Sequence, residues 1–285
     1  MSENRVAVVT GASRGAGAGI ARALGEKGYT VYVTGRTLEE GSAPLPGTIG
    51  STAAEVTEAG GRGIPVAVDH ADDAQVKALF ERVADEQGRL DVLVNNVTNI
   101  HDDLITPGGF WERPLELVDI LDVGLRSHYV ASFYAAPLLI GTGGSLIAFT
   151  SSFGSVCYMH GPAYGAQKAG VDKFAADMGV DLREKDVAAI SIWMGPLATP
   201  RTARALGDRP DQYEEFMANA ETPEFTGRLI AAVHGDPERM ALSGKTLVGA
   251  ELADRYGITE AGGRKPPSYR EMLGAPHQWG EAIVR

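Results

Sequence analysis

The chain has 285 residues, of which 44% are hydrophobic, so it is long and apolar enough to bury a sizeable core. The chain has 37 acidic and 26 basic residues, a formal net charge of −11. An acidic surface repels nucleic-acid phosphates and anionic lipid, so we expect neither a nucleic-acid nor a membrane partner. The single cysteine, Cys157, excludes an internal disulfide and suits a cytoplasmic protein. The six histidines are scattered without ligand spacing, so no metal site is expected.

Short apolar runs alternate with longer segments of helical periodicity. The predicted strands are residues 6–9, 30–34, 64–68, 91–94, 145–149 and 188–193. The predicted helices are residues 20–27, 51–59, 72–87 and 165–183, and a long helix that ends near residue 139. Short strands between longer helices indicate a parallel sheet with helices on both faces. We therefore expect an α/β, Rossmann-like fold, a doubly wound parallel sheet of about seven strands, as a single domain over residues 1–285.

Residues 200–225 break this alternation of strands and helices. They are proline-rich and charged, and they carry Tyr213, Phe216 and Met217. A segment of this kind, after the sixth strand, is typical of a mobile cover over a binding site. The sequence predicts a substrate lid near residues 200–227 and a C-terminal extension near residues 251–285.

A glycine-rich segment, TGASRGAG at residues 10–17, follows the first predicted strand and leads into the first predicted helix. Glycine lets the backbone turn tightly and approach a pyrophosphate without an intervening side chain. The first turn of a helix then offers unpaired N–H groups and the positive end of its dipole to an anion. In this position the segment predicts dinucleotide binding, although three glycines alone would also fit a tight turn.

Two arginines bear on the choice of dinucleotide. An enzyme that uses NAD commonly has an acidic residue at the end of the second strand, where it accepts hydrogen bonds from a ribose hydroxyl. Here Arg36 follows that strand, no carboxylate occurs before Glu39, and Arg14 lies within the glycine-rich segment. A guanidinium at either place can bind a 2′-phosphate, although both also fit solvated surface arginines. The expected cofactor is NADP(H), with NAD(H) as the second candidate.

Tyr164 and Lys168 lie four residues apart at the start of a predicted helix, and so on one face of it. A phenol with a pKa of about 10 is a poor acid or base at neutral pH, and a neighbouring ammonium lowers that pKa. Because Tyr-x-x-x-Lys occurs by chance in many chains, its position after the fifth strand matters more. That strand ends near Ser151 and Ser152, and a serine hydroxyl there can stabilise a carbonyl oxygen that gains negative charge.

Together these motifs resemble those of the short-chain dehydrogenase/reductase family over roughly residues 5–252. The resemblance implies that Tyr164 is the general acid/base, Lys168 its electrostatic partner, and Ser152, or failing that Ser151, the hydroxyl that orients the substrate. It implies hydride transfer between a nicotinamide and a small carbonyl or alcohol substrate, in a homodimer or homotetramer. The predicted cofactor-binding residues are Gly11, Ser13, Arg14, Gly15, Ala16, Gly17, Arg36, Asp69, His70, Asn95, Asn96, Val97, Tyr164, Lys168, Gly195, Leu197 and Thr199.

The chain departs from the family's usual pattern at three places. Val97 and Thr98 stand where the resemblance implies Ala-Gly, and Gly124 stands where it implies an asparagine that holds a water in a proton relay. MGP at residues 194–196 replaces the usual Pro-Gly, and His128 is expected to be a packed or interface residue. Two alternatives stay open: a catalytically weak dinucleotide-binding sensor or structural homologue, and a family member that catalyses dehydration or isomerisation. The intact serine, tyrosine and lysine favour the oxidoreductase.

The substrate site is expected to draw on residues 101–111, 153–162 and 200–225. Their apolar, methionine-containing side chains suit a hydrophobic carbonyl compound, although they would also serve merely to pack the lid onto the body. The predicted substrate residues are Phe153, Tyr158, Met159 and Trp111.

Overall fold

In the computed structural model, residues 4–207, 210–280 and 282–284 are described. Seven strands in these ranges form one parallel sheet in the order β3-β2-β1-β4-β5-β6-β7. They are β1 (Val6–Val9), β2 (Thr30–Gly35), β3 (Arg62–Ala67), β4 (Val92–Asn95), β5 (Ser145–Ser151), β6 (Val187–Trp193) and β7 (Thr246–Val248). The strand order reverses between β1 and β4, which places a crevice at the carboxyl ends of these two strands. The predicted doubly wound parallel sheet is confirmed.

Helices connect and cover the strands of this sheet. They are α1 (Gly15–Glu26), α2 (Ile49–Glu58), α3 (Asp73–Gln87), α4 (Asp119–Leu121), α5 (Ser127–Thr142), α6 (Pro162–Asp181), α7 (Pro200–Leu206), α8 (Pro210–Asn219), α9 (Pro223–Gly235), α10 (Gly249–Tyr256) and α11 (Arg270–Leu273). None of the helices in the described ranges combines the length and the hydropathy that a bilayer crossing requires.

The central strand β1 shows how the sheet separates two hydrophobic cores. Its four side chains are fully buried and point alternately to opposite faces. Ala7 and Val9 pack in the core that α1, α2 and α9 cover, whereas Val6 and Val8 pack in the core that α3, α5 and α6 cover. A strand that is buried on both faces reads as a continuous apolar run, which is why the sequence identified β1 clearly.

Most element boundaries lie within a few residues of the prediction, and two helices differ more. Helix α1 begins at Gly15, five residues earlier than predicted, because the tight turn needs only the residues before it. The long helix is continuous from Asp119 to Thr142 but contains a π-helical turn, Asp122–Arg126, between α4 and α5. Such turns are rare and occur frequently at functional sites.

The segment predicted as a lid contains α7 and α8 and ends within α9. The side chains of Tyr213 and Phe216 lie outside those that the structure describes, and the covering role of the segment stays a prediction. The C-terminal extension packs against the body of the protein. Its residues Tyr269 and Leu273 contact a buried cluster that contains Phe153 and Trp193.

Candidate active site

The turn between β1 and α1 has the shape that an anion-binding cradle requires. A Cβ on Gly11 would lie 2.7 Å from Cα of Val97, and one on Gly17 would lie 2.3 Å from the carbonyl oxygen of Gly11, so neither position tolerates a side chain. Gly15 has a φ of +57° and open space where a Cβ would project. Helix α1 begins there without a side-chain cap, which leaves its first N–H groups free for an anion. These residues fit a dinucleotide pyrophosphate.

The end of β4 holds this turn in place. The side-chain amide of Asn96 donates hydrogen bonds to the carbonyl oxygens of Thr10 (2.9 Å) and Gly11 (3.1 Å). The hydroxyl of Thr10 in turn accepts from the N–H groups of Asn96 (2.9 Å) and Val97 (3.1 Å). Asn95 is buried and donates to the hydroxyl of Ser132 on α5, at 2.9 Å. Asn96 thus shapes the cradle, and Asn95 links the sheet to α5.

The two arginines that were predicted to bind a 2′-phosphate make different contacts in the structure. The guanidinium of Arg14 donates to the carbonyl oxygens of Pro46 (3.1 Å) and Gly47 (2.7 Å) and to the hydroxyl of Thr37 (3.0 Å). It therefore anchors the loop after β2. The side chain of Arg36 is 68% exposed, and its guanidinium lies 3.9 Å from the carboxylate of Asp69. Arg36 is the arginine whose donors are available to a ligand.

His70 lies beneath this region rather than on its surface. It is buried, and its Nε2 lies 2.8 Å from the hydroxyl of Thr34 on β2. Burial lowers the pKa of His70 to about 4, so the imidazole is neutral at physiological pH. A neutral, enclosed ring supports the end of β2 but contributes no charge to a phosphate site.

Ser152, Tyr164 and Lys168 converge where β5 ends and α6 begins. The Oγ of Ser152 and the Oη of Tyr164 are 3.0 Å apart, and the Nζ of Lys168 lies 5.3 Å from the centroid of the Tyr164 ring. Ser151 is the last residue of β5, and its hydroxyl donates to the carbonyl oxygen of Lys168 (3.3 Å). Ser152, not Ser151, is therefore the serine that contacts the tyrosine.

The protonation of this group differs from the sequence expectation. Burial raises the pKa of Tyr164, and the hydrogen bond from Ser152 opposes that effect only in part. Burial also shifts the pKa of Lys168, which it lowers to about 8. The negative charge of Asp172 opposes this shift. The expected lowering of the phenol pKa is therefore not observed, because ionising a group in such an enclosed site is costly. In the protein alone, the phenol is protonated at neutral pH.

Asp172 is a buried residue of this site that the sequence analysis did not identify. It lies one helical turn beyond Lys168 and accepts hydrogen bonds from the hydroxyl of Ser191 (2.5 Å) and the indole N–H of Trp193 (2.8 Å), both on β6. Burial raises its pKa, while these donors lower it. The spacing of residues 164, 168 and 172 places all three on one face of α6 and is the signal that could have found it.

Gly124, in the π-helical turn, leaves no room for the asparagine that the family resemblance implies. A Cβ there would lie 2.8 Å from the hydroxyl oxygen of Thr98, and the carbonyl oxygen of Gly124 accepts from the side-chain amide of Gln167 (2.6 Å). Thr98 and Gln167 therefore fill the space. Two of the departures from the family pattern, those at Thr98 and Gly124, belong to the same change in packing. His128 is packed nearby, as predicted: it is buried, its Nε2 lies 2.8 Å from the carbonyl oxygen of Val97, and burial lowers its pKa to about 3.

The loop after β6 is held by another buried carboxyl that the sequence analysis missed. The N–H of Gly195 donates to Glu221 (3.0 Å), and Leu197 pairs with Glu221 through the backbone. Burial raises the pKa of Glu221 to about 7. Thr199, predicted to contact nicotinamide, uses its hydroxyl to accept from the N–H of Thr202 (3.2 Å) and so caps α7. The start of the predicted lid is therefore tied to the loop after β6.

The four predicted substrate residues do not line the cavity beside Tyr164. Phe153 is buried, with its ring centroid 4.9 Å from that of Trp193, and so is core packing, while Met159 packs against the same cluster. Trp111 is 75% exposed and Tyr158 is 78% exposed. These side chains pack or face solvent because the loops that carry them approach the cavity with other residues. The walls include Leu104, Phe110, Arg113, Leu117, Val118 and His160.

Comparisons with known proteins agree on one family. A model of the family described as short chain dehydrogenase matches residues 5–209. Human dehydrogenase/reductase SDR family member 1 is 40% identical over 279 residues, 94% of this chain and 87% of the human protein. The mouse protein of that name is 40% identical over 278 residues, 94% of this chain and 86% of the mouse protein. A crystal structure of 3-oxoacyl-[acyl-carrier protein] reductase from Brucella melitensis, in complex with NAD, has a TM-score of 0.73 at 25% identity and covers 87% of this chain and 96% of its own.

Proposed function

This chain belongs to the short-chain dehydrogenase family and is an NAD(P)-dependent dehydrogenase or reductase, and from this we propose that it reduces a small hydrophobic carbonyl compound with NADPH. The observation that carries the proposal is the 3.0 Å contact between Ser152 and Tyr164 beside an apolar cavity of about 190 Å³. A carbonyl oxygen placed between these two hydroxyls accepts a hydrogen bond from each, and the body of the substrate occupies the cavity.

The residues divide the work of the reduction among them. When bound, the nicotinamide supplies the hydride. Ser152 and Tyr164 hold the carbonyl oxygen and stabilise the charge that develops on it. Tyr164 then gives its proton to that oxygen, and the ammonium of Lys168 stabilises the phenolate that remains. Because burial raises the pKa of Tyr164, the proton is in place at neutral pH, which favours the reductive direction.

The preference for NADPH rests on the end of β2. Arg36 directly follows this strand, and no carboxylate stands where an NAD-specific site would accept bonds from the ribose. Its exposed guanidinium lies 3.9 Å from the carboxylate of Asp69 and can form charge-assisted bonds with a 2′-phosphate. Arg14 contributes indirectly, because it orders the loop that borders this place.

The test is turnover of NADPH by the purified protein with a panel of aromatic aldehydes, cyclic ketones and quinones, followed by nicotinamide absorbance. We expect oxidation with at least one of these classes. Ser152→Ala should lower kcat by about 100-fold, since one stabilising hydrogen-bond donor is lost. The control, Ser268→Ala, removes an exposed hydroxyl that bonds Glu251 in the C-terminal extension and should leave turnover unchanged. Tight NADPH binding without oxidation of any panel member would contradict the proposal and indicate a dinucleotide-binding sensor.

We further propose that the protein acts in the cytoplasm as a homodimer or homotetramer that pairs through α5. Phe133 is 62% exposed, and Tyr129 and Ile140 on the same helix are also exposed, which leaves an apolar face on this helix. Light scattering after size exclusion should give a mass of two or four chains, and Phe133→Glu should reduce it. A monomeric mass for the unmodified protein would contradict this assembly.

A further inference from the structure

Residues near the end of the predicted lid pair with the loop after β6. Glu221, which lies between α8 and α9, donates its N–H to the carbonyl oxygen of Pro196 (2.7 Å), and its own carbonyl oxygen accepts from the N–H of Ala198 (2.9 Å). Its carboxyl accepts from the N–H of Gly195 (3.0 Å), and a Cβ on Gly195 would lie only 2.6 Å from that oxygen. The main chain and the side chain of one buried residue therefore hold this loop.

The loop after β6 adjoins the end of β5, where Ser152 lies. It begins at Met194, whose N–H donates to the carbonyl oxygen of Ser151 (3.1 Å). Ser152 follows directly, and its hydroxyl contacts that of Tyr164. Residues 195–199 also include three of the predicted cofactor-binding residues. A change in the position of this loop would therefore reach the predicted cofactor site.

Two side chains of the C-terminal extension bind the residues on either side of Glu221. The buried carboxylate of Glu260 accepts from the N–H of Thr222 (2.6 Å) and from its hydroxyl (2.9 Å). The guanidinium of Arg264 donates to the carbonyl oxygen of Ala220 (2.5 Å). We call Glu260 and Arg264 the C-terminal clamp. This clamp fixes the short segment that in turn holds the loop after β6.

A tight turn carries both residues of the C-terminal clamp. The N–H of Glu260 donates to the carbonyl oxygen of Arg264 (2.8 Å), and Gly262 and Gly263 between them have φ values of +71° and +79°. Burial raises the pKa of Glu221 to about 7, and the opposite charges of the two clamp residues shift it in opposite directions. Both charges therefore lie close to the carboxyl that holds the loop.

We propose that the C-terminal clamp positions the loop after β6 for the cofactor, so that the C-terminal extension sets the affinity for NADPH. The inference rests on the proposed function, because it takes residues 195–199 as part of the cofactor site. Glu260 and Arg264 are positioning residues, since they act through residues 220–222 rather than on the cofactor. Without the clamp the loop populates displaced arrangements, and the affinity for NADPH falls with the fraction of molecules that keep the competent one.

The test combines hydrogen exchange in the protein without cofactor with fluorescence titration of NADPH. Glu260→Ala removes the acceptor of both Thr222 donors. The amides of residues 195–198 should then exchange at least about 10-fold faster, as expected for the loss of hydrogen bonds to a charged group, while those of β1 keep their rates. The dissociation constant of NADPH should rise by about 3- to 10-fold, which corresponds to a competent fraction of about 10–30%.

Two further variants separate positioning from general stability. In Glu260→Gln the amide oxygen can accept from the N–H of Thr222 and the amide nitrogen can donate to its hydroxyl, so exchange and affinity should return to within about twofold of the unmodified protein. Thr222→Val removes only the hydroxyl contact and should give a smaller change in the same direction, which keeps the test open should Glu260→Ala not fold. The matched control is Asp254→Ala, because this exposed carboxylate of the extension pairs with Lys265, and both measurements should stay unchanged.

Unchanged exchange at residues 195–198 in Glu260→Ala and in Thr222→Val, or unchanged NADPH affinity in both, would overturn the inference. A lower Tm with neither change would show that the clamp only stabilises the fold. Both measurements are independent of turnover. If the protein reduces no compound of the carbonyl panel, the proposed function fails, whereas faster exchange with weaker NADPH binding would still support the role of the clamp.

Discussion

Replacing Lys168 by methionine should abolish turnover and at the same time make the protein more stable at pH 7. The lysine is buried beneath Tyr164, where its ammonium is partly desolvated. Methionine keeps a similar length without the charge, so the substitution removes the cost of burying the ammonium and leaves little cavity. Catalysis requires the charge of Lys168, but burying that charge lowers the stability of the folded protein.

The magnitude follows from the pKa of Lys168. Burial lowers it from 10.5 to about 8. Below pH 8 the lysine is charged in both the folded and the unfolded protein. The difference between its folded pKa of about 8 and its unfolded pKa of 10.5 corresponds to about 3 kcal/mol of lost stability. Between pH 8 and 10.5 the unfolded chain holds a proton that the folded protein has released, so stability rises with pH across that interval. The variant should therefore be about 3 kcal/mol more stable at pH 7, a rise in Tm of roughly 6–12 °C, and this gain should shrink above pH 8.

Calorimetric unfolding of both proteins without cofactor, from pH 6.5 to about 9.5, measures both the gain and its decline. Lys173→Met is the control, because this lysine is exposed on the same helix and pairs with Asp177. It should change Tm by little and without a trend in pH. A lower Tm for Lys168→Met at pH 7, or a gain that does not fall as pH rises, would refute the claim that burial depresses the pKa of this lysine.

Three further predictions concern the cofactor, the π-helical turn and the buried carboxyl. Arg36→Ala should weaken NADPH binding by at least 10-fold and leave NADH binding nearly unchanged in fluorescence titrations, and equal losses would contradict the assignment of the phosphate site. Gly124→Asn should cost about 1–3 kcal/mol in chemical denaturation, because a Cβ there would lie 2.8 Å from the hydroxyl of Thr98, and an unchanged midpoint would show that the turn has room. Asp172→Asn should move the alkaline limb of the kcat/KM profile to lower pH, since the Asp172 charge raises the pKa of Lys168, and an unmoved limb would count against this coupling.

The parts of the site that the sequence predicted are those in which chemistry is local. The cradle is a strand, a turn and a helix in one continuous stretch, so the glycine spacing together with the flanking strand and helix identifies it. Tyr164 and Lys168 are one turn apart on α6, and helix geometry alone brings them together. The doubly wound parallel sheet followed from the alternation of short apolar runs with helices and from the handedness of crossovers.

What the sequence did not predict depends on contacts between distant segments. Arg113 gains its place through carbonyl oxygens at residues 104 and 160, and Glu221 through the N–H of Gly195. No local spacing in the sequence predicts contacts of this kind. The sign of the Tyr164 pKa shift was missed for a related reason: the burial that raises the pKa of this phenol is a property of the packed fold and is not visible in the sequence.

The most direct test of the account is single-turnover hydride transfer from NADPH in Tyr164→Phe, measured beside NADPH affinity in the same variant. The account predicts a fall in the rate of about 100- to 10,000-fold, because the proton donor is lost, and an affinity within about twofold of the unmodified protein. A rate near that of the unmodified protein would place the acid on another residue. A parallel loss of NADPH affinity would make Tyr164 a binding residue instead of the proton donor.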